Sequence, residues 1–128
     1  MARPAPTLVK AVGEVMDAPI GTTCEDQEDY DYRWPILWVI PAAIHFISYE
    51  PALGPLSLGP SPYLPDWIIC GGESGKDARM MEPSWAGNLL DECRGSHVAF
   101  FMKQMTQKKP IPDHLLIREF PNPTQRGD

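Results

Sequence analysis

Asp66-Trp67-Ile68-Ile69-Cys70-Gly71-Gly72-Glu73-Ser74-Gly75 is the stretch on which the reading of this chain turns. A short, largely apolar run, Asp66–Cys70, breaks into a glycine-rich loop holding one carboxylate and one hydroxyl. A run of this length without alternation reads as a strand buried on both faces. The loop then stands at the carboxyl end of that strand, where ligands gather in open α/β sheets and barrels. A helical pattern begins at Pro83, so the unit reads strand, functional loop, helix.

The same rhythm extends to both sides. APIGTTC, residues 18–24, contains the β-formers Ile20, Thr22 and Thr23 and reads as a first strand ending in Glu25-Asp26-Gln27. Tyr30, Trp34 and Trp38 then recur every fourth position, one face of a helix. Pro35 predicts a break there, with a second short helix starting near it. The acidic residues Glu25, Asp26, Glu28, Asp29 and Asp31 cluster at that helix start, where the helix dipole favours negative charge. Ile44–Tyr49 reads as the second strand, halted by Glu50-Pro51. The proline- and glycine-rich connection over 50–66 reads as a packed loop with one short turn.

Beyond the glycine loop, Pro83–Arg94 reads as a helix with Trp85, Leu89 and Cys93 on one face and Gly95 as a left-handed cap. His97–Met102 reads as the fourth strand, ending in Lys103-Gln104, and Leu115–Phe120 as a last strand or a docked extended segment. The tryptophans at 34, 38, 67 and 85 read as core. Strands alternating with helices predict a parallel sheet with right-handed crossovers. The domain is expected over 18–120, after an amino-terminal arm (1–17), poorly ordered or a short helix, and before a disordered tail (121–128).

Composition sets outer bounds. The 128 residues suffice for one domain with a modest core, and 43% hydrophobic against 22% charged is globular composition. A net charge of −6 disfavours broad phosphate-neutralising contact with nucleic acid. Lys103, Lys108 and Lys109 are the only basic cluster. Cys24, Cys70 and Cys93 have no framework or CxxC spacing, the pattern of reduced thiols in a cytoplasmic protein, and no metal site is expected. No run approaches the roughly 20 apolar residues of a membrane helix.

Each expected strand ends in polar residues: Glu25, then Glu50, then Glu73 and Ser74, then Lys103 and Gln104. In a parallel sheet these ends share one edge, which makes that edge the candidate ligand site. Gly71, Gly72 and Gly75 would let backbone amides approach a phosphate, ribose or carboxylate, or would serve only a tight turn. The loop is neither GxGxxG nor a Walker loop, so it specifies no nucleotide. His45, inside an apolar strand, reads as a core histidine, and Cys70 as a buried thiol rather than a nucleophile.

The segments GTTCEDQ, RWPILWVIPA, FISYEPALGPL, DWIICGGESGKDARMMEPSW and VAFFMKQ resemble the second half of a phage-encoded family, the phage gene-product thirty-seven/sixty-eight family. The resemblance spans about residues 20–120, with EPALGP and DWIICGGESG as its most specific parts. It implies a radical-SAM-like protein and hence a fold class of α/β, a partial (β/α) barrel-like parallel sheet with short helices and Pro-rich loops. It also implies that Glu50, Gly71, Gly72, Glu73, Ser74, Arg79, Lys103 and Gln104 line the open end of the barrel, with S-adenosylmethionine as the implied ligand. The three-cysteine motif of that family has no counterpart among Cys24, Cys70 and Cys93, so no iron–sulfur cluster is expected in this chain alone.

The leading expectation is therefore a carboxyl-terminal portion of such a protein, inactive alone. An amino-terminal half or a further copy would cover its sheet edge. A small binding module for a nucleotide or SAM-like ligand and a degenerate phage remnant are the competing readings, and enzymatic activity stays open.

Overall fold

A computed structural model describes residues 18–122, and the expected arm over 1–17 and the end of the tail lie outside the described residues. Four strands form one parallel sheet in sequential order: β1 (Ile20–Cys24), β2 (His45–Tyr49), β3 (Trp67–Gly71) and β4 (Ala99–Gln104). Helix α1 (Gln27–Trp38) links β1 to β2, and α2 (Pro83–Gly95) links β3 to β4. This is the expected mixed α/β sheet, open rather than closed into a barrel.

The two faces of the sheet differ. Ile47, Tyr49, Ile68, Cys70, Phe100 and Met102 point to the helices and are fully buried with Leu37, Leu89 and Leu90. The alternate residues, Phe46, Ser48, Trp67, Ile69 and Phe101, are only half-buried, on the face turned away from α1 and α2. Parallel strands need coverage on both sides to be fully apolar, and among the described residues helices supply it on one.

The β2–β3 connection has no helix, and the proline-rich segment fills the gap itself. Ala52, Leu56, Leu58 and Pro65 are buried in it. Tyr30 Oη donates to the Leu58 carbonyl at 2.8 Å, Trp34 Nε1 to that of Tyr63 at 3.1 Å, and Leu58 N to Glu92 Oε2 at 2.8 Å. The loop is thus tied to both helices. Its Glu50–Pro51 and Ser61–Pro62 peptide bonds are cis.

Three local expectations are corrected. Helix α1 runs through Pro35 without the expected break. A proline inside a helix costs about 3 kcal/mol, but Trp34 and Leu37 on either side are buried, and Asp26 caps the helix by accepting from Asp29 N at 2.8 Å. Trp38 is not core: it is 40% exposed and packs edge-on against Tyr63 with ring centroids 5.2 Å apart. Gly95 is not a left-handed cap. It lies within α2, and the left-handed residue is His97, with φ 59°.

After β4 the chain turns through Thr106–Lys108 and Asp113–Leu115 and comes back along its outer edge. Met102 N donates to the Ile117 carbonyl and Glu119 N to that of Phe100, both at 2.8 Å, around an antiparallel bridge between Phe101 and Arg118. The expected segment Leu115–Phe120 is therefore docked and extended from Ile117, with Leu115 closing the turn before it.

Candidate functional site

The carboxyl ends of the strands do share one edge. Glu50 and Lys103 meet there across β3, Nζ to Oε1 at 3.1 Å. Glu50 N donates to the Cys24 carbonyl, and Ala52 N, two residues on, to that of Gly71. The turn after β2 is thereby stitched to the ends of β1 and β3, which fixes where the Glu50 side chain starts. Gly71 lies beneath it, and a Cβ there would come within 3.1 Å of the Glu50 carboxylate. A side chain at 71 would push the carboxylate away from Lys103.

Gly72 and Gln104 do a different job. Gly72 N donates to the Gln104 carbonyl at 2.9 Å and Gln104 Nε2 returns a bond to the Gly72 carbonyl at 2.9 Å. A Cβ on Gly72 would overlap the Thr106 backbone nitrogen. The second glycine permits close backbone packing between the end of β4 and the loop after β3.

Glu73 and Arg79 form a clamp within the β3–α2 loop. Arg79 Nε and Nη2 donate to the two carboxylate oxygens at 2.9 and 2.7 Å, and Arg79 N adds a bond at 2.8 Å. The guanidinium's hydrogen bonds, then its backbone bond and charge, lower the Glu73 pKa to about 2. Bidentate geometry of this kind holds a loop shape as effectively as it holds a ligand. Gln107 completes the arrangement, its N donating to the Glu73 carbonyl and its side chain to those of Gly75 and Lys76. Ser74 lies at the exposed tip of this loop and joins neither group.

The expected residues thus divide. Glu50, Gly71 and Lys103 form one polar rim, whereas Gly72, Glu73, Arg79 and Gln104 hold the neighbouring loops. Below the rim, on the helix-free face, lies a trough of about 550 Å³, within the range of small-molecule sites. Its walls are Phe46, Trp67, Ile69, Phe101 and Phe120, with Ser48 and Arg118 as further polar groups. Trp67 is the hub, 5.6 Å from both Phe46 and Phe120 and 6.3 Å from Phe101 between ring centroids. Reading the strand as buried on both faces hid this trough. The signal was present in Phe46, Trp67 and Phe101, aromatic at alternate positions of three neighbouring strands.

Cys24, Cys70 and Cys93 are buried on the helix side, and burial pushes the Cys70 thiol up to about 12. Thiols that burial holds protonated, as it does Cys70 and Cys93, are poorly suited to ligate an iron–sulfur cluster. Among the described residues no group of three His, Cys, Asp or Glu side chains could hold a metal ion. His45 is a satisfied core residue, its Nε2 donating to the Ile40 carbonyl at 2.6 Å. No helix among the described residues is long and apolar enough to cross a membrane.

Neither curated proteins nor solved structures match this chain. A family model does, over residues 4–116: DUF5131, a protein of unknown function. The chain belongs to that family.

Proposed function

We propose that this DUF5131 chain is the carboxyl-terminal portion of a phage radical-SAM-like protein, that its helix-free face is part of a barrel-lumen wall, and that its rim takes S-adenosylmethionine. The observation that carries the reading is the pairing of Glu50 with Lys103 at 3.1 Å above an apolar trough. Sequential parallel strands with helices on one side support the barrel-wall part of it.

The rim suits a zwitterion. An α-ammonium group replaces Lys103 as partner of Glu50, an α-carboxylate replaces Glu50 as partner of Lys103, and one ion pair becomes two. Gly71 leaves room for Glu50 to swing between these partners. S-adenosylmethionine bound there supplies the reactive sulfonium group, and the residues of this chain bind and orient it. Iron–sulfur ligands belong to a separate amino-terminal half, the partner that would also cover the sheet edge.

Thermal melts followed by circular dichroism, with and without excess S-adenosylmethionine, test this. A ligand confined to the native state stabilises it by roughly 2.7 kcal/mol at 100 times its dissociation constant. The reading expects an upward shift that Glu50→Gln and Lys103→Met each diminish. No shift in the wild-type chain, alone or mixed with an amino-terminal half, would overturn it.

A further inference from the structure

The charge on the trough is not used up by the rim. Its lining holds one carboxylate, Glu50, and two cations, Lys103 and Arg118, in a chain whose net charge is −6. Glu50 and Lys103 neutralise one another. Arg118 does not share in that pair: its Nε donates to the Met102 carbonyl at 2.9 Å and its Nη2 to that of Lys103 at 3.1 Å. Carbonyl oxygens satisfy donors without cancelling the charge, and a guanidinium has five N–H groups to place. Its carbon lies 5.4 Å from the centre of the Phe101 ring, so the exposed guanidinium is held over the aromatic wall.

Around that charge the apolar groups are flat. Phe101 and Phe120 meet edge-on at 5.5 Å, and both contact Trp67. Phe120 is 71% exposed, and Trp67 and Phe101 are half-buried. Aromatic rings left uncovered beside an unneutralised guanidinium are complementary to a flat, singly anionic molecule.

We propose that the trough takes a second ligand, an aromatic group bearing one carboxylate or sulfonate-like anion, with its ring against Trp67, Phe101 and Phe120 and its anion on Arg118. The inference rests on the reading of this face as a lumen wall and names the substrate class that the wall would receive.

Anilinonaphthalene sulfonate is the probe, with neutral N-phenylnaphthylamine as its uncharged counterpart. The folded wild-type chain is expected to bind the sulfonate saturably at one site and the neutral dye more weakly. Arg118→Gln keeps a donor but removes the charge, and should weaken the sulfonate about tenfold, the effect of losing one charge-assisted bond, while leaving the neutral dye unchanged. Ser48→Phe fills the trough from the strand itself and should abolish both signals, with the circular dichroism melt showing that the variant still folds. Equal binding of the two dyes, insensitivity to both substitutions, or sedimentation showing this face covered by a second copy would each overturn the proposal. A shift with S-adenosylmethionine that survives in Arg118→Gln, alongside failure of the dye tests, would sink the second ligand alone. Loss of that shift in the wild type would sink the earlier reading alone.

Discussion

Gly72 and Thr106 lie so close that any side chain at 72 would overlap the Thr106 backbone nitrogen. Thr106 cannot retreat easily, because it is buried and its Oγ1 accepts from Met81 N at 2.8 Å. Gly72→Ala should therefore destabilise the fold by about 2–3 kcal/mol, the upper range for overpacking. Gly71→Ala meets only the far end of the Glu50 side chain and should cost less than about 1 kcal/mol. Urea unfolding of the two variants checks the contrast. Equal losses would mean that the two glycines serve the same purpose.

The Glu50–Lys103 pair should add little to stability. Their side chains are 22% and 52% exposed, and such pairs are worth about 0–1 kcal/mol. A double-mutant cycle with Glu50→Gln and Lys103→Met is expected to give a coupling below about 1 kcal/mol.

The Glu73–Arg79 clamp has a defined acid limit. The pKa of Glu73 is lowered from an ordinary 4.5 to about 2, so the native state binds its proton less readily than the unfolded chain. The clamp's contribution is complete above about pH 4.5 and fades as pH falls toward 2. Carboxyl chemical shifts should show Glu73 titrating near 2 in the native protein, and in Arg79→Gln its midpoint should return toward the ordinary value.

All three cysteines should resist alkylation. Cys24, Cys70 and Cys93 are buried, and burial holds the Cys70 thiol near 12, so thiolate is scarce at neutral pH. Iodoacetamide should label none in the native state and all three in urea, as counted by mass spectrometry. Rapid native labelling of Cys70 would contradict its position beneath the glycine loop.

Tyr30→Phe removes the hydroxyl that holds the proline-rich loop through the Leu58 carbonyl. The carbonyl sits on a buried residue, so the loss should be about 1–2 kcal/mol in chemical denaturation.

Much of this architecture was legible in the chain. The parallel sheet and the shared rim followed from alternating segments and from polar residues placed just after each apolar run. Pro35 misled because propensity is local, whereas Trp34 and Leu37 draw their stabilisation from the sheet and from the loop at Tyr63. The packing of Gly72 and Glu73 against the segment at 104–107 was not legible, because sequence does not reveal contacts between loops so far apart in the chain. The trough is not legible in any one strand, because an apolar run alone does not say whether its second face is covered; it shows only when Phe46, Trp67 and Phe101 are compared across three strands.

The return of Ile117–Glu119 along β4 closes that side of the sheet to other strands. A strand arriving there must first break the bonds to Phe100 and Met102 and lift Phe120 off Trp67. Copies of the chain therefore cannot join β4 to β4 while that segment stays in place.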